Sequence, residues 1–194
     1  MSQEASKAYR RRICEEATGG IKWSHFLQGR GIDVGCGPDP LPYPDTLPFD
    51  MDDGDANHLS RFFQEGEFDW LHSSQSLEHM VDPMAALLDW IKVVKSGGHL
   101  IVTVPSWELY EGMVWPSRWN PDHKSTWSMV MKGSPAPHHI HVPSFLPRLN
   151  SVADVLISRQ LDCNYDYKAG TSFDQTWVES AGVEPWIEFV LCKR

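Results

Sequence analysis

The sequence predicts an α/β fold, in which strands and helices alternate and the strands form a mostly parallel sheet. A short apolar run at 31–34 closes with a glycine turn, and 68–72 resembles it; such runs are typical of buried parallel strands. A helix begins at Asp82-Pro83, and a β-branched strand at 99–104 ends at Pro105. Strand, helix and strand in this order form a βαβ unit, so the sheet is predicted to be parallel there.

The remaining elements are predicted from local patterns. Residues 3–17 have a helix-forming composition, and the helix predicted there ends at Gly19-Gly20. Gly97-Gly98 is expected to end the helix that begins at Pro83. Val152, Val155 and Leu156 suggest a helix from 151 to 160. Two closing strands are predicted at Leu161 to Tyr167 and at Trp186 to Cys192.

Composition limits the functional classes. The 194 residues fit one domain, and a net charge of −9 argues against a nucleic-acid backbone as the main partner. The basic run at 10–12 is interpreted as a solvated helix face. We expect no membrane span, because apolar runs stay far below about 20 residues. Four scattered cysteines and an N-terminus unlike a secretory signal favour a cytoplasmic protein. The oligomeric state is left open.

A glycine turn follows the first predicted strand. Gly35 and Gly37 allow backbone N–H groups to approach a ligand, although a plain tight turn explains the pattern as well. Asp33 is placed to hydrogen-bond that loop or, through water, a cationic amino group. Pro38 and Pro40 break the dinucleotide-binding pattern and obstruct a helix N-terminus, which makes a nicotinamide-dependent oxidoreductase improbable. A nucleoside ligand without pyrophosphate fits better.

An acid at the end of the second predicted strand supports that ligand. Asp50 follows Asp33 at close to the spacing of about 20 residues that ribose hydroxyl recognition uses. Asp52, Asp53 and Asp55 compete for the role, and Asp50 is preferred because it ends the apolar pair Pro48-Phe49.

These motifs, in this order, resemble those of class I S-adenosylmethionine (SAM) dependent methyltransferases, in particular a compact group often associated with cell-surface polysaccharide synthesis. Residues 31–37 resemble the glycine motif, 68–80 the fourth-strand motif, and 95–100 the turn before the fifth strand. The resemblance implies SAM as cofactor, bound by these residues: Asp33, Gly35, Cys36, Gly37, Asp50, Met51, Asp55, Ala56, Ser73, Ser74 and Gln75.

The resemblance also implies a Rossmann-like sheet with helices on both faces and an antiparallel C-terminal strand. The short stretches at 38–48 and 51–67 leave little room for the usual elements, so we expect a fold trimmed between strands 1 and 4, with the third strand short or missing. A single domain, 1–194, would comprise an N-terminal helical cap at 1–28 and a substrate-side loop insertion at 106–143.

His123 and His79 are the predicted catalytic residues, acting as general base or substrate ligand, against structural roles in their loops. We predict no metal. Gln75, Glu78 and His79 resemble the metal-binding triplet of ubiquinone-pathway O-methyltransferases, but Gln75 stands where that pattern has an acid. The histidines at 138, 139 and 141 are interpreted as a solvated or substrate-lining loop.

The predicted reaction is methyl transfer to an oxygen, less readily a nitrogen, of a small-molecule or sugar-containing acceptor. The tryptophans of the long loop either stack on a sugar or form the loop's own core: Trp107, Trp115, Trp119 and Trp127. The alternative function is a non-catalytic SAM-binding regulatory or assembly subunit.

Overall fold

The structure, a computed structural model, describes residues 22–177 and 182–194. The helix predicted at 3–17 and its Gly19-Gly20 stop lie outside the described residues. The described strands, in chain order, are β1 Gly31–Val34, β2 Thr46–Phe49, β3 Phe68–Ser74, β4 Val94–Pro105, β5 Thr126–Ser128, β6 His139–His141, β7 Ala153–Gln160 and β8 Trp186–Lys193. The helices are α1 Pro83–Val93 and α2 Val142–Phe145.

Six strands form the main sheet, in the order β2-β1-β3-β4-β8-β7. β1 pairs in parallel with β2 and β3, and β3 pairs in parallel with β4. β8 runs antiparallel to both of its neighbours, β4 and β7. This mostly parallel sheet with one antiparallel C-terminal strand confirms the predicted α/β fold class.

The trimmed middle of the fold is visible at the β2 edge of the sheet. Residues 35–45, all of them described, form turns and extended segments where a helix would usually join the first two strands. Residues 50–67 contain a short 3-10 helix at Ala56–Arg61, and β2 is one of the two edge strands of the six-stranded sheet. The short turns therefore bring 35–37 and 50–57 to the same end of the sheet.

Helix α1 begins as the sequence predicts. The Asp82 carboxylate accepts hydrogen bonds from the backbone N–H groups of Met84 and Ala85, and Pro83 occupies the first turn. Such a cap stabilises a helix by about 1 kcal/mol. The expected stop at Gly97-Gly98 is wrong, because the helix ends at Val93 and the chain passes directly into β4.

Two apolar clusters cover the two faces of the sheet. The larger one packs α1, including Leu87 and Trp90, against alternate residues of β4 such as Leu100 and Val102. Ile101 points to the other face, where it packs with an apolar group formed by Trp23, Leu27, Leu41, Trp70 and Val190. None of the helices in residues 22–177 and 182–194 combines the length and apolar character that crossing a bilayer requires.

The prediction of a helix at 151–160 is wrong. This segment is strand β7, which pairs with β8, and the apolar residues Val155 and Leu156 are exposed on it rather than buried on one helix face. The next segment, Leu161 to Tyr167, is a turn-rich loop and not the predicted strand. Tertiary pairing with the buried β8 outweighs the local pattern here. The strand predicted at Trp186 to Cys192 is confirmed as β8.

The long segment at 106–143 is ordered around its own small sheet. β5 and β6 pair in parallel, and Trp127 of β5 is buried, as is Trp107. The backbone N–H of Trp107 donates to the Trp127 carbonyl oxygen at 2.7 Å. Trp127 packs into the larger apolar cluster of the main sheet and Trp107 against the His139 ring, whereas Trp115 and Trp119 are half-buried.

Candidate active site

A cleft of about 820 Å³ opens at the carboxyl ends of β1, β2 and β3. Ligands of open α/β sheets bind at this end of the strands, and the volume suits a molecule of SAM's size. The cleft is lined by Gly35, Gly37, Asp50, Met51, Gly54, Asp55, Ala56, Asn57, Gln75, Ser76, His79, Met80, Asp122 and Lys124.

The glycine turn after β1 is held tightly at one residue and is open at the other. Gly35 has a φ of +71°, and its N–H donates to the Phe49 carbonyl oxygen at 2.8 Å. A Cβ at Gly35 would overlap the Ser76 hydroxyl, so only glycine fits. At Gly37, a Cβ would meet no heavy atom within 4 Å, which leaves the backbone accessible to a ligand in the cleft.

The turn after β2 presents acids to the cleft. The Asp53 carboxylate accepts from the Asp50 N–H at 2.9 Å, while the Asp50 carbonyl oxygen accepts from the N–H groups of Asp53 and Gly54. Asp53 is therefore used by the turn itself, and Asp52 is exposed and absent from the lining. Of the acids considered from the sequence, Asp50 and Asp55 line the cleft.

Asp55 also shapes the wall that follows. Its carboxylate accepts from the Asn57 backbone N–H at 2.9 Å and from the Asn57 side chain at 2.7 Å, and these hydrogen bonds lower the pKa of Asp55. Helix α1 anchors the segment that follows Asp55. Trp90 Nε1 donates to the Ala56 carbonyl oxygen at 2.7 Å, and the Asp89 carboxylate accepts from the backbone N–H and the hydroxyl of Ser60.

Some of the predicted cofactor residues support the cleft from beneath its surface. The buried Asp33 carboxylate is 2.6 Å from His72 Nδ1 and accepts from the Leu41 N–H at 2.7 Å, so it holds the loop. Ser73 is fully buried, and Ser74 Oγ lies 2.8 Å from Thr103 Oγ1. Burial, together with the negative charge of Asp33, raises the pKa of the Cys36 thiol to about 11. Asp33, Cys36, Ser73 and Ser74 are absent from the lining.

The other predicted cofactor residues line the cleft directly: Gly35, Gly37, Asp50, Met51, Asp55, Ala56 and Gln75. Gln75 adopts a φ of +57°, a sparsely populated backbone conformation for a residue with a side chain. Its N–H donates to the Thr103 carbonyl oxygen at 3.0 Å, which fixes the turn after β3.

The two predicted catalytic histidines meet at the other end of the cleft. The rings of His79 and His123 are 4.9 Å apart and edge to face. His79 lines the cleft with 27% of its side chain exposed, whereas 3% of the His123 side chain is exposed. Burial and the neighbouring His123 lower the pKa of His79. The neutral imidazole of His79 is thus the favoured form near pH 7.

Two residues that the sequence did not single out hold this pair. Glu111, fully buried, accepts from His123 Nδ1 at 2.6 Å. Lys124 Nζ donates to the His79 carbonyl oxygen at 2.6 Å, and the Lys124 N–H donates to the Glu78 carbonyl oxygen. Asp122, the neighbour of His123 in the chain, contributes its carbonyl oxygen to His79 Nδ1 at 3.1 Å. Glu111 lies in a segment without periodicity, so no sequence signal marked it.

The histidines of the 138–141 segment have local roles. His139 Nδ1 is 2.9 Å from Thr126 Oγ1, and His141 Nδ1 is 2.7 Å from Ser144 Oγ. The group that could hold a metal ion among the described residues is elsewhere and consists of Glu78, His79 and His123. The sequence-based expectation of no metal did not consider this combination, because His123 is distant from the other two in the chain.

Comparison with known sequences supports the same chemistry. Residues 39–102, about a third of the chain, match a family described as a methyltransferase domain. No curated protein matches the chain.

Solved structures share the fold at low sequence identity. A SAM-dependent methyltransferase from Archaeoglobus fulgidus superposes with a TM-score of 0.57 at 14% identity, covering 97% of each chain. A Haloferax volcanii chain solved in complex with the Trm112 methyltransferase activator gives 0.50 at 15% identity, covering 98% of this chain and 96% of that chain. The cyclase SpnF gives 0.53 at 16% identity, covering 94% and 81% respectively. Because a cyclase shares the fold, the likeness establishes architecture, and the enzyme class depends on the matched family.

The residues present fit SAM. The cleft has an open glycine backbone at Gly37, an acid after the second strand at Asp50, and a size suited to a nucleoside. Together with the methyltransferase-domain match, this confirms the predicted enzyme class, a methyltransferase, and SAM as its cofactor.

Proposed function

We propose that this methyltransferase methylates a hydroxyl oxygen of a small-molecule or sugar-containing acceptor. The observation that carries the proposal is the arrangement of the cleft, which has acids at one end and the His79–His123 pair at the other. Methyl transfer from a sulfonium needs the two reactants held in line, and a hydroxyl acceptor also loses a proton. A cytoplasmic location belongs to this proposal, and Cys36, Cys163 and Cys192 are free thiols.

The acidic end of the cleft is the proposed cofactor end. Asp50 would hold the ribose hydroxyls, and 54–56 would lie against the adenine, while Gly35 and Gly37 would approach the amino-acid part. SAM, when bound, supplies an electrophilic methyl group. The remaining predicted residues, Asp33, Cys36, Ser73 and Ser74, would act by fixing the backbone beneath the cofactor.

The histidine end is the proposed acceptor end. The partly exposed ring of His79 faces the cleft and offers its Nε2 to an incoming hydroxyl, while His123 stands behind it, held by Glu111. The loss of a positioned acid–base group typically slows a reaction by 10²–10⁴-fold. His79→Ala should therefore lower the methylation rate by at least about 100-fold. His138→Ala, which changes an exposed histidine outside the cleft, should not alter the rate.

The 106–143 segment is the proposed substrate-side insertion. It contributes Asp122 and Lys124 to the cleft and carries His123. Two aromatic residues, Tyr110 and Trp119, lie close by. The Tyr110 ring is 5.9 Å from the His123 ring, and the Tyr110 backbone carbonyl oxygen accepts a hydrogen bond from Trp119 Nε1 at 2.9 Å. Aromatic rings with a polar edge stack well on sugars, and the net charge of −9 disfavours a nucleic-acid acceptor.

Transfer of a labelled methyl group tests the proposal. The protein would be incubated with SAM carrying a tritiated methyl group and with small-molecule, glycan, protein and RNA fractions of a lysate. We expect label in the small-molecule or glycan fraction, as an O-methyl ether by mass spectrometry. Label in RNA or protein would overturn the proposal. Tight SAM binding without label in any fraction would favour the alternative, a non-catalytic SAM-binding subunit.

A further inference from the structure

We propose that Glu78, His79 and His123 bind one divalent transition-metal ion of the zinc type beside the methyl-transfer cleft. Nε2 of His79 lies 3.9 Å from Glu78 Oε1, and Nε2 of His123 lies 3.8 Å from the same oxygen. One ligand atom from each of the three residues lies within 4.8 Å of the others. The two imidazoles come from separate segments, and the fold brings them to a single carboxylate.

The second nitrogen of each ring is occupied by an outer partner. Nδ1 of His123 is 2.6 Å from the Glu111 carboxylate, and Nδ1 of His79 is 3.1 Å from the Asp122 carbonyl oxygen. Both partners are acceptors, so each Nδ1 carries the hydrogen, and Nε2 is the nitrogen of each ring that can ligate a metal ion. Metal-binding histidines almost always show this outer hydrogen bond, which fixes the tautomer and the ring orientation.

The spacing is compatible with a small ion. Ligands at the usual zinc distances of about 2.0–2.2 Å lie about 3.4 Å apart in a tetrahedron. The separations of 3.8 and 3.9 Å from the Glu78 oxygen need to contract by about half an ångström, and the two imidazoles, whose ligand atoms lie within 4.8 Å, by at most about 1.4 Å, which side-chain rotations can supply. Two imidazoles with one carboxylate favour zinc, iron or manganese, because magnesium and calcium prefer all-oxygen sites.

The three-residue site is buried on every side except the one that faces the cleft. Glu78 is fully buried, and 97% of the His123 side chain is covered, but His79 reaches the cleft. The Glu78 backbone is held by the N–H groups of Lys124 and Ser125 at 2.9 and 3.1 Å. Three protein ligands with one position facing a cleft is the arrangement of a catalytic rather than a structural metal site.

This inference rests on the proposed function for its role in the reaction. An acceptor hydroxyl bound at the open position would have a lowered pKa, and its proton would pass to water in the cleft. The oxygen lone pair would then form the new bond to the methyl carbon, and the electrons of the broken carbon–sulfur bond would remain on sulfur. With the ion bound, His79 would act through it as a ligand; without the ion, its Nε2 remains the group that meets the hydroxyl proton, and His79→Ala lowers the rate in both cases.

Metal titration tests the site independently of catalysis. The chelator-treated protein would be titrated with Zn²⁺ by calorimetry, and with Co²⁺ by visible spectroscopy to report the ligand field. We expect one equivalent to bind and its affinity to fall at least 100-fold in His79→Ala and in His123→Ala. The matched control His138→Ala should bind as the unaltered protein does. A thermal melt of each variant shows whether it folds. His79 is partly exposed, so His79→Ala is expected to fold even if the buried change His123→Ala prevents folding.

The outcomes separate the two proposals. If zinc fails to bind, or binds to His79→Ala and His123→Ala as tightly as to the unaltered protein, the metal proposal is overturned, although SAM binding and methyl transfer can persist. Loss of binding in His138→Ala alone would place the ion at the 138–141 segment and also overturn it. A tetrahedral cobalt spectrum that depends on both cluster histidines, in a protein without methyl transfer, would support the metal site and contradict the proposed function.

Discussion

The buried carboxylate of Glu111 accepts a hydrogen bond from Nδ1 of His123 at 2.6 Å, and this pair anchors the loop that closes one end of the cleft. The Glu111 side chain is fully covered, and 3% of the His123 side chain is exposed. A carboxylate in this position fixes which ring nitrogen carries the hydrogen. Consequently, the chemistry available at the cleft depends on a residue that does not line it.

Removal of the Glu111 carboxylate should destabilise the fold. Glu111→Ala leaves the His123 N–H buried without its acceptor, and we expect the free energy of unfolding to fall by about 2–4 kcal/mol. Glu111→Gln retains a carbonyl acceptor and should lose about 1 kcal/mol. Urea unfolding followed by tryptophan fluorescence measures both. Glu65→Ala, an exposed glutamate, is the control; equal stability of the Glu111→Ala variant and this control would contradict the account.

Gly35 should not tolerate a side chain. Gly35→Ala places a Cβ on the Ser76 hydroxyl and forces a positive φ, so we expect a loss of about 1–3 kcal/mol in stability and weaker SAM binding. Gly133→Ala meets open space and should leave both unchanged. Thermal melts and calorimetry with SAM distinguish the two variants. Wild-type SAM affinity in Gly35→Ala would show that the turn does not shape the cleft.

Cys36 should be slow to react with alkylating reagents at neutral pH. Burial and the charge of Asp33 raise its pKa to about 11, so at pH 8 about 100-fold less thiolate is present than for an ordinary cysteine. The rate of carboxamidomethylation, measured by peptide mass spectrometry against glutathione, should rise about tenfold per pH unit up to pH 10. A rate that levels off near pH 9 would refute the raised pKa.

The link between Asp89 of α1 and Ser60 should depend on pH. Although burial alone would raise the pKa of Asp89, hydrogen bonds from Ser60 and from Lys92 outweigh it and lower the pKa. A lowered pKa stabilises the fold above the unfolded value of about 3.9, and this contribution is lost as the pH falls below it. Asp89→Asn should therefore be about 1–2 kcal/mol less stable at pH 7, with a smaller deficit at pH 3. A deficit that is constant over this range, measured by urea unfolding, would rule out the charge as its cause.

Local signals in the sequence predicted the centre of the fold, and they singled out residues that line the acidic end of the cleft. The glycine turn at 35–37 and Asp50 lie next to short buried strands, and Asp82-Pro83 marks the start of α1. In each case the residues that define the feature are neighbours in the chain, so their spacing is sufficient to predict it.

Features that depend on long-range pairing could not be predicted in this way. Val152, Val155 and Leu156 have a spacing that suits a helix at 151–160, but 153–160 forms an outer strand because β8 supplies a partner. The Glu111–His123 pair and the grouping of Glu78 with His123 join segments across the fold, and no periodicity marks them. The same holds for the pairing of Asp33 with His72, whereas the hydrogen bond from the Leu41 N–H to Asp33 agrees with the expected bond between Asp33 and its loop.

Calorimetric titration of SAM into the unaltered protein, Asp50→Ala and Asp52→Ala determines whether SAM binds in the strand-end cleft. Asp50 lines the cleft, whereas Asp52 is an exposed acid in the same turn. We predict micromolar SAM binding that weakens at least tenfold in Asp50→Ala and is unchanged in Asp52→Ala. Absence of SAM binding at millimolar concentration, or equal affinities in the two variants, would contradict the account.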